Sequence, residues 1–118
     1  MEVRTAASPK DVKHYTTDRL REEFLVQDLF VKNEVKMVYS HIDRIIIGAA
    51  VPTTSLSLDA GSELRAEYFL QRRELGIINI GGKGKVKVDG TEYVLEYKDG
   101  MYIGMGSKEI EFISEDEN

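Results

Sequence analysis

Two short stretches of this chain carry side chains able to move a proton or to hold an acid. In Ser40-His41-Ile42-Asp43-Arg44 an imidazole and a carboxylate are two residues apart. At a strand end, His41 and Asp43 would point the same way, as a proton-transfer pair or as a structural hydrogen-bond network at a turn, the commoner outcome. In Arg72-Arg73-Glu74 the guanidinium groups could clamp a substrate carboxylate in a bidentate fork, and the plainer alternative is an ion pair at a loop tip. Glu67, Glu74 and Glu109 could gather a hard cation through oxygen ligands, although hydrogen-bonded carboxylates on half-exposed strands are far more usual. Gly81-Gly82-Lys83-Gly84 runs into Lys85-Val86-Lys87-Val88 rather than a helix, which argues for a hairpin turn and against a phosphate cradle; Gly104-Met105-Gly106 fails for the same reason. Tyr93, Tyr97 and Tyr102 are most simply aromatics packed on a sheet.

Composition removes several alternatives. The absence of cysteine excludes disulfide frameworks, thiolate zinc sites, iron–sulfur clusters and cysteine nucleophiles, and fits a reducing compartment. Two histidines, His14 and His41, cannot build a three-histidine metal site. The 16 basic residues are interspersed among 21 acidic ones for a net charge of −5, so the basic stripe of a nucleic-acid binder is missing. Residues 45–52, the longest run without a charged or strongly polar residue, fall far short of the ~18 apolar residues that span a bilayer, and residues 1–11 contain no apolar signal core. A soluble, cytoplasmic protein of one domain, with neither membrane nor nucleic acid as partner, is the expectation for 118 residues of which 42% are hydrophobic.

The elements that must position these groups divide the chain in two. Residues 1–35 form an N-terminal arm with the only helical signals. Ser8-Pro9-Lys10-Asp11 has the order cap, proline, acid of a helix start, and Thr17 is placed to cap a second short helix sharing Leu20 and Phe24 on one face. Residues 25–31 are apolar enough to predict a first strand ending near Lys32-Asn33. Residues 36–118 are β throughout, with strands predicted over 36–39, 42–50, 53–58, 65–70, 75–80, 85–88, 91–97, 101–103 and 109–113, and a polar tail from Ser114 to Asn118. Turn chemistry separates the strands at Asp59-Ala60-Gly61, Gly81-Gly82, Asp89-Gly90 and Asp99-Gly100. Many short strands after a short helical segment predict a mainly β fold, a jelly-roll barrel.

A barrel of this size is similar to the cupin pattern, in which two glycines frame two histidines and a glutamate. Here Gly61, Glu67, Phe69, Glu74 and Gly81 keep the frame, with Glu67 and Phe69 at the histidine positions; downstream, Asp99-Gly100, Gly104 and Gly106 hold a similar turn and Glu109 takes the last ligand position. A phenyl ring ligates nothing, so the pattern is that of a cupin whose metal site has been erased. Phe69, Ile78 and Ile80 are then expected to point into the barrel, with Glu74 near its mouth.

The runs Met37-Val38-Tyr39-Ser40-His41-Ile42-Asp43-Arg44-Ile45-Ile46 and Tyr68-Phe69-Leu70-Gln71-Arg72-Arg73-Glu74-Leu75-Gly76-Ile77-Ile78-Asn79-Ile80-Gly81-Gly82 closely resemble the 5-keto-4-deoxyuronate isomerase family, and the resemblance extends over nearly the whole chain. That family is a double cupin, and this chain resembles its first half. The resemblance implies a ketol-isomerase of pectin and uronate breakdown, interconverting 4-deoxy-L-threo-5-hexosulose uronate and 3-deoxy-D-glycero-2,5-hexodiulosonate. It also implies one zinc per full-length subunit, held by histidines and a glutamate of the second cupin that have no counterpart here. Two readings follow. In one, the chain is the N-terminal half of the isomerase, inactive alone, with no cofactor of its own and a structural role beside the missing C-terminal cupin half; a chain ending at Ser114-Glu115-Asp116-Glu117-Asn118 favours this one. In the other it is a stand-alone, metal-free cupin that binds a sugar acid or serves as an oligomerisation module. His41, Asp43, Arg72, Arg73 and Glu74 are the candidate substrate-binding residues in either. A homo-oligomer is expected because Ile45-Ile46-Ile47 cannot all face one core.

Overall fold

The computed structural model describes residues 1–115; the last three residues of the expected tail lie outside the described part. The fold is mainly β, as the turn spacing predicts, but its strands fall into three separate sheets and close no barrel among the described residues. The first sheet has the order β1 (Glu2–Arg4), β2 (Val35–Ser40), β3 (Ile45–Ala50), with β1 parallel and β3 antiparallel to β2. The second has the order β4 (Leu56–Ser57), β9 (Ile110–Ser114), β6 (Gly84–Val88), β7 (Thr91–Leu95). The third is a ribbon of β5 (Leu75–Ile78) and β8 (Gly100–Ile103).

The hairpin signal Asp89-Gly90 behaves as its chemistry dictates. Both residues have positive φ, 47° and 88°, as a two-residue turn between right-twisted strands requires. The Asp89 carboxylate also accepts the backbone N–H groups of Lys108 and Glu109, at 3.0 and 2.8 Å, pinning the turn to the strand beyond it. Gly81-Gly82, by contrast, is no hairpin turn: β5 pairs with β8 and β6 with β7 and β9, so this segment carries the chain from one sheet to another. Asn79 fixes that crossing, its amide donating to the carbonyls of Gly82 and Leu95 and its oxygen accepting from the Gly81 N–H.

The core gathers Leu58, Phe69, Leu70, Val86, Leu95, Ile103 and Ile110 between the second and third sheets, with Val35, Met37 and Ile46 of the first packed against it. Phe69 and Leu70 are both buried although adjacent, which a strand with a single buried face does not achieve. Residues 65–70 accordingly depart from the predicted strand: Arg65 has a φ of 48°, Phe69–Gln71 is a 3₁₀ turn, and the Gly106 N–H closes over it on the Leu70 carbonyl at 2.8 Å.

The N-terminal arm corrects two expectations, the Thr17 cap and the strand over 25–31. Helix α1 (Pro9–Val12) starts as predicted, with the Ser8 hydroxyl accepting from Lys10, but α2 (Thr17–Phe24) is capped by Thr16 rather than Thr17 and buries neither Leu20 nor Phe24. Residues 25–31 form no strand. Arg4, Lys36 and Val38 share the face of the first sheet turned away from the core, and on it Arg4 donates to the Leu25 carbonyl at 2.6 Å and Lys36 to the Asp28 carbonyl at 2.9 Å. The segment is thus laid across that face, its carbonyls taken by side chains instead of a ladder, and Val38 beneath is only 3% exposed.

Candidate functional site

His41 and Asp43 do not form a pair on a strand. β2 ends at Ser40 and β3 begins at Ile45, and Asp43 and Arg44 adopt φ values of 56° and 53°, so the two-residue alternation that would align the side chains is broken. The His41 ring instead meets Tyr39 edge-on, with ring centres 5.1 Å apart. Tyr39 in turn lies under the guanidinium of Arg73 at 5.4 Å, and Arg73 also stands 5.9 Å from the ring of buried Phe69. His41 and Arg73, distant in sequence, therefore belong to one cluster, His41–Tyr39–Arg73–Phe69. Tyr39 is the member that the sequence reading did not single out; its signal was the two-residue spacing to His41.

The other two members of the Arg72-Arg73-Glu74 motif go elsewhere. Arg72 donates to the Arg65 carbonyl at 3.4 Å. Glu74 turns outward to the Tyr102 hydroxyl, whose pKa it raises chiefly by accepting its hydrogen bond. No loop-tip ion pair joins Arg72 or Arg73 to a carboxylate among the described residues. On the outer face of the ribbon, Ile78 is 74% exposed and Tyr102 65%, and Ile80 is exposed as well, so Ile78 and Ile80 do not point inward. The register explains this: Leu75 and Ile77 face the core opposite Ile103 and Met101, which leaves Ile78 and Tyr102 outside.

The frame of glycines and carboxylates can be tested as a metal site on its donors. Phe69, 4% exposed, fills the interior position and offers no ligand. Glu67 and Glu109 line a shallow cavity of about 390 Å³ with Asp59, Tyr68 and Lys108, while Glu74 does not line it and faces Tyr102. Among the described residues no three His, Cys, Asp or Glu side chains are grouped to hold an ion. This donor set does not fit zinc. No helix is long and apolar enough to cross a membrane among the described residues.

No protein-family model matches the chain. Over 117 residues, 98% of its length, it is 76% identical to a 4-deoxy-L-threo-5-hexosulose-uronate ketol-isomerase of Lachnoclostridium phytofermentans. The same span is 62% identical to the protein of that name from Lachnospira eligens and 59% identical to that from Halalkalibacterium halodurans. The chain spans about 42% of the length of each of these relatives.

Proposed function

We propose that this chain is the N-terminal, cupin-like part of a 4-deoxy-L-threo-5-hexosulose-uronate ketol-isomerase, that it holds no metal of its own, and that its role is to build the interfaces on which the active enzyme assembles. Surface area carries the reading. A free-standing folded protein of 13.4 kDa exposes about 6,500 Å², whereas this chain exposes 8201 Å². The excess, roughly 1,700 Å², is more than the ~800 Å² each partner buries in a standard interface and matches an obligate one. The radius of gyration, 15.8 Å, likewise exceeds the ~13.5 Å of a compact chain of this length. Two groups of exposed apolar side chains suit such an interface: Ile45 and Ile47 on the edge strand β3, and Ile78 and Tyr102 on the outer face of the β5–β8 ribbon with Ile80 just beyond it.

Moving a carbonyl along a sugar acid through an enediol needs an electrophile for the developing oxyanion and a base for the proton. Among the described residues no group of side chains is placed to hold a metal as that electrophile, and in this reading the chemistry is supplied by the remaining length that the relatives carry. The test is to mix the purified chain with a polypeptide covering the rest of the Lachnoclostridium phytofermentans relative. A stoichiometric complex by light scattering, with ketol-isomerase turnover absent from this chain alone and zinc content confined to the second polypeptide, is the expected result. Turnover by this chain alone that survives chelators, or one zinc per chain after dialysis, overturns the reading. The stand-alone alternative predicts no association with the second polypeptide, and sedimentation over a range of concentrations then reports whether the exposed edges pair with a second copy.

A further inference from the structure

Among the described residues four cationic side chains, Arg4, Arg19, Lys83 and Lys85, are held by a carboxylate. Arg4 reaches Glu2 at 2.8 Å, and Lys85 reaches Glu115 at 3.0 Å and Glu92 at 3.3 Å. Arg19 is the closest parallel to Arg73, since it too lies over an aromatic ring, Tyr15 at 4.9 Å, yet it still holds the Glu23 carboxylate at 2.9 Å. Arg73 has two rings and no anion. Half-buried between Tyr39 and Phe69, its guanidinium has neither a carboxylate nor a hydrogen-bond acceptor among the described residues. Its N–H groups are left without an acceptor, and the planar N–H fork of a guanidinium is the part matched to a carboxylate.

Three further features fit a ligand better than a surface ornament. Phe69 is fixed in the core, so one of the two rings against the guanidinium is in place before any anion arrives. The nearest acidic residue in sequence, Glu74, is turned away to Tyr102 and does not compete. Exposed His41, edge-on to the same Tyr39 ring, adds a hydrogen-bonding imidazole to the cluster for a hydroxyl of the same ligand.

We propose that Arg73, cradled by Tyr39 and Phe69 and flanked by His41, is a binding site for the carboxylate of a small sugar acid. The carboxylate rests on the geometry of Arg73; the choice of a sugar acid rests on the proposed function. The experiment is a two-dimensional NMR titration of the full 15N-labelled chain with D-galacturonate, D-galactose and acetate in parallel. Galacturonate should give saturable shifts of the Arg73 Nε–Hε signal and of Tyr39 and His41, with galactose at least tenfold weaker. Arg73→Lys, which keeps the charge and loses the fork, should weaken binding about tenfold with an otherwise native spectrum, and Arg73→Gln should abolish it. The absence of saturation up to about 50 mM, far above the ~1 mM of a ligand held by a few hydrogen bonds, overturns the proposal. So does equal binding of galactose, while acetate binding as tightly as galacturonate overturns the sugar acid. Protection of Arg73 only when the second polypeptide is bound would make a protein carboxylate the occupant and overturn it also. Because the titration uses this chain alone, its failure leaves the proposed assembly standing, and failure of the assembly leaves the titration intact.

Discussion

Two clusters of basic residues in this molecule are built on opposite plans. In the ladder of β7, β6 and β9, Lys83 and Lys85 are met by Glu92, Glu96 and Glu115 from the neighbouring strands, all at the surface. At the turn after Phe69–Gln71, Arg73 is met by two aromatic rings and no carboxylate. A cation whose partners are in its own sheet is finished when the chain folds, and it does little beyond favouring one register. A cation partly withdrawn from water over aromatic faces has its charge supported and its donors spare, an arrangement that an incoming anion completes. The first plan is structural; the second is what a binding site needs.

The contrast is sharpest in stability, and the largest effect belongs to the residue supporting the unfinished cation. Phe69→Ala removes a buried ring from the middle of the core and should cost about 3 to 5 kcal/mol in urea unfolding. A loss below about 1 kcal/mol would mean that the ring is not the core member beneath Arg73 that the structure shows. On the other side of the comparison, Asp89→Ala should cost about 1 to 2 kcal/mol, because two backbone N–H groups lose their acceptor and the new residue must still adopt positive φ. Asp89→Asn, which tolerates that conformation, should recover part of the loss; equal losses for the two variants would remove backbone conformation from the account.

How much of this was visible beforehand follows the same divide. Lys85-Val86-Lys87-Val88 and Asp89-Gly90 specify β6, its turn and its partner within a dozen residues, and Ser8-Pro9 specifies the start of α1 just as locally. Residues 25–31 are as apolar as any strand, but their conformation is decided by Arg4 and Lys36, side chains from another layer, and no local pattern reports that. The predicted strand over 65–70 fails because two adjacent side chains, Phe69 and Leu70, are both needed in the core, a demand set by the whole packing. Arg73 was recognisable as a carboxylate ligand by type. What sets it apart, Tyr39 against it and Glu74 at Tyr102, depends on β2 and β8 arriving from elsewhere in the chain.

Arg73→Gln provides the next test, in which stability and binding should part. The guanidinium lies over its rings at a partly open site, where such contacts contribute about 0.5 to 1 kcal/mol, so the urea midpoint should barely move while galacturonate binding disappears. A loss comparable to that of Phe69→Ala would instead make Arg73 a structural member of the core edge and erase the distinction between the two clusters.

The smallest effect is expected at Lys85, and its pH dependence is the diagnostic. Hydrogen bonding to Glu115, then to Glu92, raises the Lys85 pKa, and hydrogen bonding to Lys85 lowers that of Glu115. A raised lysine means that the folded chain holds its proton more tightly than the unfolded one, so its contribution is complete below the ordinary lysine range and lost as pH climbs through the raised value. A lowered carboxylate works in the other direction, contributing above the ordinary glutamate range and fading as pH falls through the depressed value. The wild-type advantage over Lys85→Gln should therefore be a plateau through neutral pH that collapses at both ends, and added salt should flatten it because the pair is exposed to solvent. Urea midpoints of the two proteins across pH, at low and high salt, measure this directly. An advantage that survives in acid, where Glu115 is protonated, would show that Lys85 acts through its aliphatic stem on the sheet rather than through its charge, and the ladder would then owe its order to packing alone.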